Sequence, residues 1–190
     1  AGGSTVSTDA LPITAIGNSL GTVPTTGSGA KMSRKDTANK ITAAAGDNKF
    51  SAFFINSGGT QQIDQISSDI TSPVNGRWRV THAGYYIVEL GFTVNASAPA
   101  AGYFNVAPAI FLNGSSTPFK VGPDSLGSFG GGFGNYSRSA HATFIVYLGA
   151  NGYVEAGYRN FGSSNSSFFQ GDTNGNTTYF SIAMLNRTAE

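Results

Sequence analysis

The chain offers little conventional catalytic chemistry. His82 and His141 are its only histidines, and it has no cysteine. Disulfides, thiolate zinc sites and cysteine nucleophiles are therefore excluded. His82 stands just before Gly84 in a turn-like stretch, and His141 lies beside Ser139 at the head of an apolar run. Each reads as a surface or turn residue. The ten acidic residues are scattered singly, and no spacing pairs two carboxylates for acid–base work. No His-Glu-x-x-His, Gly-x-Ser-x-Gly or phosphate-cradling glycine motif is present. The expectation is a protein that is not an enzyme and needs no cofactor. One stretch, Asp172-Thr-Asn174-Gly-Asn176, spaces three oxygen ligands like the start of a calcium loop. It lacks the glycine at the sixth position and has Ala183 where such a loop ends in Glu. A plain turn built from Asp, Asn and Gly is the competing reading.

Adhesive chemistry is better represented. Gly127 to Tyr136 holds five glycines in its first eight residues, with Phe129, Phe133 and Tyr136 set among them. Rings on an adaptable backbone suit surface recognition. The same rings would equally fill a pocket at the base of the loop or on a neighbouring subunit. A second candidate is Asn160 to Asp172, with Phe161, Phe168 and Phe169 among Ser and Gly. Four basic residues, Lys31, Arg34, Lys35 and Lys40, cluster in the first quarter of the chain.

The elements that carry these residues follow from composition and period. The chain has 190 residues, enough for one full core. Charged residues make up 11% and the net charge is +1, which argues against a nucleic-acid partner. No apolar run approaches the ~20 residues of a membrane-spanning helix, so no membrane insertion is expected. Residues 1–49 contain no aromatic residue, whereas residues 50–190 contain all of them. A segment rich in Gly, Thr and Ser without aromatic rings buries too little apolar surface to fold alone. Residues 1–49 thus read as an extended arm, either a solvated linker or an anchor ordered on a partner, with one or two helical turns over Thr37–Ala45.

From Phe50 onward the signals are strands. Phe50–Asn56 is a short apolar run closed by Ser57-Gly58-Gly59. Arg77–Thr81 alternates around Trp78 and Val80. Tyr86, Val88, Leu90, Phe92 and Val94 share one face of a long strand over Tyr85–Asn95. Ala107–Leu112 ends at the turn dipeptide Asn113-Gly114. Ala142–Leu148 and Tyr153–Tyr158 flank a hairpin turn at Asn151-Gly152, and Thr178–Leu185 is the last strand. The head over residues 50–190 is expected to be all-β. Two strands are apolar on both faces: Phe144 alternates with Ile145 and Tyr147, and Phe180 with Tyr179 and Leu185. A sandwich strand facing water is ordinarily polar outside. Phe144, Ile145, Tyr147, Tyr179 and Leu185 are therefore the candidate interface between subunits.

The order of these motifs resembles the trimeric jelly roll of complement globular heads and tumour necrosis factor ligands. Gly76-Arg77-Trp78 followed by Gly84 and Tyr86 resembles that superfamily's Gly-x-Phe and Gly-x-Tyr pattern. Asn113-Gly114 resembles its Asn-Gly turn, Leu148-Gly-Ala-Asn151-Gly152-Tyr-Val154 its Leu-x-x-Gly-Asp-x-Val hairpin, and Phe180-Ser-Ile-Ala-Met-Leu185 its terminal strand. Trp78 replaces a usual Phe, Val88 an aromatic, and Asn151-Gly152 a Gly-Asp, each with core volume or turn chemistry retained. The resemblance implies an antiparallel jelly-roll sandwich that forms a homotrimer. Similar heads occur on bacteriophage spikes, fibre tips and capsid decorations. The absence of a collagen repeat, of cysteine and of a signal segment turns the expectation toward a virion surface. There the arm, through Lys31, Arg34, Lys35 and Lys40, would grip a major capsid or fibre base protein, and the head would be free to meet a host receptor or glycan. A secreted or cell-surface recognition module is the alternative, with an extracellular location. Some related heads carry calcium near the trimer apex, which bears on Asp172, Asn174 and Asn176. The six Asn-x-Ser/Thr sequons, beginning at Asn95, Asn113, Asn135, Asn165, Asn176 and Asn186, are little more than this composition produces by chance.

Overall fold

The computed structural model describes residues 28–38, 41–51, 53–55, 58, 60–96, 103–123, 125–128, 136–161 and 167–187. Among them there is no helix, and every strand pairing is antiparallel. The strands are β1 (Gly29–Ser33), β2 (Ile41–Thr42), β3 (Gly46–Lys49), β4 (Ile63–Ile66), β5 (Ile70–Thr71), β6 (Arg77–Val80), β7 (Gly84–Ala96), β8 (Tyr103–Leu112), β9 (Lys120–Val121), β10 (Ser125–Ser128), β11 (Tyr136–Leu148), β12 (Tyr153–Asn160), β13 (Ser167–Gln170) and β14 (Tyr179–Arg187).

They form two packed sheets of seven strands each, all-β as the residue patterns predict and a jelly-roll sandwich as the resemblance implies. In the first sheet β7 has β11 along one side and β13 and β14 end to end along the other. β1 and β4 continue beyond β14, and β2 beyond β13. The second sheet centres on β8 and β12. β12 is flanked by β3 and β6 end to end, with β5 beyond β6, while β9 and β10 border β8. Period-two alternation sends Tyr86, Val88, Leu90, Phe92 and Val94 of β7 inward to meet Val106, Ile110, Val154, Ala156 and Tyr158 from the other sheet. Trp78 is fully buried, and its Nε1 donates to the Phe180 carbonyl at 3.2 Å, so the indole's one polar atom is satisfied. Asn113 (φ 49°), Gly114 (φ 83°) and Asn151 (φ 63°) occupy the left-handed region that tight hairpins require.

Three expectations need correction. The extended arm does not run to residue 49. β1 is inserted between β14 and β4, and Met32 and Ala30 are buried in the core. β2 and β3 also join the sheets. Only alternate residues of β1 must be apolar, so five residues without a ring suffice once two neighbouring strands supply the hydrogen bonds. Thr37–Ala45 is not helical where described, since Ile41–Thr42 is a strand pairing with β13. Phe50–Asn56 is not a ladder strand where described, with one isolated bridge between Ile55 and Gln61. A strand would send Phe53 and Phe54 to opposite faces, whereas here Phe50, Phe53 and Phe54 all point inward. They pack with Phe92, Tyr158 and Phe169 in a ring cluster at centroid distances of 4.0–6.0 Å. The Asn75 side chain replaces the missing ladder, accepting from Phe54 N at 2.7 Å and donating to Phe54 O at 2.6 Å.

Candidate functional site

The outward face of the first sheet is built from six rungs between β7 and β11, and its character changes along the strands. Reading from one end, the pairs are Tyr85–Tyr147, Ile87–Ile145, Glu89–Thr143, Gly91–His141, Thr93–Ser139 and Asn95–Ser137. On the other side of β7 the rungs continue to Ala183 beside Ile87, Ser181 beside Glu89, Tyr179 beside Gly91 and Gln170 beside Thr93. The first two rungs are apolar and the last two β7–β11 pairs are polar, with Phe168 of β13 beside Asn95 on the other side.

The apolar end is open to solvent. Tyr85, Ile145, Tyr147 and Leu185 are 45%, 54%, 50% and 52% exposed, which makes a contiguous patch rather than scattered side chains. Tyr85 and Tyr147 meet edge to face at 5.4 Å. Leu185 reaches the surface because the β14–β7 register slips between Met184 and Asn186. Of the predicted interface residues, the structure brings Ile145, Tyr147 and Leu185 to this end. Phe144 does not belong to it: its side chain faces inward at 5% exposure, as alternation demands once Ile145 faces out. Tyr85 and Ile87 were missed by sequence reasoning. Their signal was present in the out-of-phase positions of the same strand that carries Tyr86 and Val88.

Tyr179 lies at mid-face and is half-buried against its own sheet. Gly91 is beneath it, and a Cβ there would stand 2.8 Å from the ring. Burial, then the charge of Glu89, pushes the Tyr179 phenol up. Lys31 Nζ sits 5.3 Å from the ring centroid and His141 packs at 6.0 Å. An aromatic laid over a glycine recurs on the second sheet, where Phe111 covers Gly157.

Three of the four basic residues expected to anchor an arm, Lys31, Arg34 and Lys35, are held within the head. Arg34 is fully buried, donates to the Phe53 carbonyl, stacks 5.0 Å from the Phe53 ring and lies 3.9 Å from Asp36. Burial lowers its pKa, and Asp36 opposes that shift. Lys35 pairs with Asp64 at 2.7 Å. Lys40 lies outside the described residues. Phe129 and Phe133 also lie outside them, and of Tyr136 only its backbone pairing with Ala96 is described. The cluster Lys31, Arg34, Lys35 is thus divided among a ring contact, a core ion pair and a surface pair. Its close sequence spacing hid this because β1 ends at Ser33, so Lys31 lies on the sheet while Arg34 and Lys35 belong to the segment that follows it.

The polar end forms a groove of about 510 Å³ lined by Thr37, Thr93, Asn95, Ser137, Ser139, Gln170 and the 171–177 turn. Asp172 organises that turn. Its Oδ1 accepts from the backbone of Asn174 at 2.9 Å and Asn176 at 3.2 Å, and its Oδ2 from the backbone and hydroxyl of Thr177, both at 2.8 Å. Burial pushes the carboxyl up, but the bonds from Thr177, Asn176 and Asn174 outweigh it and leave its pKa below the ordinary value. These bonds are the ones expected of a plain turn over Asp172, Asn174 and Asn176. The carboxylate is saturated by its own turn, with the Asn174 and Asn176 backbones serving as donors to it. Among the described residues no group of three or more His, Cys, Asp or Glu is placed to hold a metal ion.

The fold that positions these two ends is shared with known proteins. No family model matches the sequence, and no curated protein matches it in sequence. Among solved structures, Eiger TNF from S. frugiperda matches with a TM-score of 0.50 and 10% identity, covering 86% of this chain and 96% of that one. The head is a TNF-like jelly roll. At that identity the likeness defines the fold alone.

Proposed function

We propose that this protein is a non-enzymatic homotrimer displayed on a virion surface as a capsid decoration, spike or fibre head. The observation that supports self-association is the apolar end of the outward sheet face, where Tyr85, Ile145, Tyr147 and Leu185 stand half-exposed together. A closed three-fold ring joins two different patches on each subunit, and the apolar end supplies one of them. The 11% charge, the lack of cysteine and the glycine-rich composition favour a particle over a free signalling ligand. Because Gly29–Ser33 belongs to the sheet, attachment to a major capsid or fibre base protein falls to the residues preceding Ser28.

Sedimentation at micromolar concentration tests the assembly. The wild type is expected at three times 19.6 kDa, and Tyr147→Asp at the single-chain mass, because the substitution sets an unpaired charge into a desolvated contact. A monomeric wild type would refute it. Co-sedimentation with capsids at fixed copy number tests the location.

A second reading, a secreted or cell-surface recognition trimer, is favoured by the polar groove at the far end of the same face. A chain that purifies alone and binds no particle would decide for it.

A further inference from the structure

The polar groove has a chemistry of its own. Its floor is Thr93 and Asn95 of β7, one wall is Ser137 and Ser139 of β11, and the other is Gln170 with the 171–177 turn. Every lining residue is a hydroxyl, an amide, a glycine or the Asp172 carboxylate. Among the described residues no Lys or Arg lines it, which disfavours phosphate, sulfate and sialylated ligands. Among the described residues no large apolar side chain lines it, which disfavours lipids and flat aromatic ligands.

What remains is paired donors and acceptors on a fixed frame. Asn95 Nδ2 donates to Gln170 Oε1 at 3.1 Å, and Gln170 Nε2 donates to the Thr37 carbonyl at 2.6 Å. Each amide group has a second N–H, and Asn95 Oδ1 remains an acceptor. Thr93 Oγ1 and Ser139 Oγ stand 3.4 Å apart as a hydroxyl pair across the next rung. The turn is locked by Asp172, and it is tied to the head by Gly171 N to Asp36 O (3.1 Å) and Asp172 N to Arg34 O (3.2 Å). Gly171 permits that approach, since a Cβ would collide with the Arg34 carbonyl oxygen. Such a site spends little entropy in ordering itself.

We infer that this groove binds a neutral saccharide through the Asn95–Gln170 amide pair and the Thr93–Ser139 hydroxyl pair. Vicinal sugar hydroxyls match groups that donate and accept in alternation, and about 510 Å³ admits one or two sugar rings. The inference deepens the recognition reading and rests on it. It is independent of assembly at the apolar end, because Tyr85 and Thr93 are eight residues apart on one strand, roughly 26 Å at about 3.3 Å per residue.

The test uses the full chain on an array of immobilised neutral oligosaccharides built from glucose, galactose, mannose and N-acetylglucosamine, with sialylated and sulfated glycans as further arms. Retention on at least one neutral glycan is expected. Ser139→Arg, which puts a long side chain into the groove, is expected to cut that signal at least tenfold with melting temperature and sedimentation unchanged. Should Ser139→Arg fail to fold, Thr173→Arg on the exposed turn makes the same block. No neutral retention, retention on anionic glycans alone, or an undiminished signal in the blocking variant overturns the inference. A trimer that holds no neutral sugar sinks this site and leaves the assembly intact. A sugar-binding monomer does the reverse.

Discussion

Phe144–Leu148 in β11 and its inward and outward sides have nearly the same hydropathy and opposite environments. Phe144, Val146 and Leu148 are 5%, 1% and 1% exposed, whereas Ile145 and Tyr147 are 54% and 50% exposed. Apolar character alone therefore does not say whether a residue serves folding or association. The two-residue period decides it, through which neighbours each side chain meets. Inward residues meet the second sheet of the same chain, and outward ones meet whatever covers the face.

The largest test of that contrast is truncation on each side. Phe144→Ala should cost about 3–5 kcal/mol and lower the melting temperature, because the cavity is enclosed by packed neighbours. A change smaller than about 1 kcal/mol would mean that the two sides are not distinct. The same inside–outside contrast holds for charge. Glu155 is only 7% exposed and receives Lys49 and Arg77, each at 2.8 Å, while Asp47 and Arg159 pair bidentately at 2.6 and 3.0 Å nearer the surface. Glu155→Ala should destabilise by an amount between the ~0.2–1 kcal/mol of exposed pairs and the ~3–5 kcal/mol of fully buried ones. Asp47→Ala should remain in the lower range. Urea midpoints at unchanged slope measure both.

Acid should act through the same carboxylates. Burial pushes Glu155 up, but hydrogen bonds and charge from Lys49 and Arg77 outweigh it and hold its pKa below the ordinary 4.5. Asp172 is likewise held below the ordinary 3.8. A depressed folded pKa contributes stability that is present above the unfolded value and is lost as pH falls through the folded one. Melting temperature should therefore fall as pH drops below about 4.5 and continue falling below 3.8. Glu155→Gln should flatten the first part of that decline. A profile identical to wild type would remove Glu155 as its source.

Much of the fold was legible because it obeys local rules. The alternation of Tyr86 through Val94, the Asn113-Gly114 and Asn151-Gly152 turns and the buried Trp78 each follow from residues close together in the chain. β1 was not legible. Gly29–Ser33 has only Ala30 and Met32 to bury, and its strand state comes from β14 and β4, far away in sequence. Phe50, Phe53 and Phe54 misled for a related reason, since their convergence depends on Asn75 satisfying the Phe54 backbone. At the site, Ile145, Tyr147 and Leu185 could be found from two-faced strands. The polar groove could not, because Thr37, Asn95, Ser139 and Gln170 are ordinary members of a Ser-, Thr- and Asn-rich chain until four separate segments bring them together.

The smallest expected effect is also the sharpest for the outward side. Ile145→Ser removes an exposed apolar group, so the stability of the isolated chain should change by no more than about 0.5 kcal/mol. Assembly links stability to concentration: a subunit that binds only folded partners raises the melting temperature as protein concentration rises. The wild type should therefore show a melting temperature that climbs over a hundredfold concentration series. Ile145→Ser should start from nearly the same value at the dilute end and climb less. If both proteins give flat lines, the apolar end covers nothing and its exposure is incidental. If the variant already melts lower at the dilute end, Ile145 supports its own chain, and the contrast between the two sides of β11 loses its outward half.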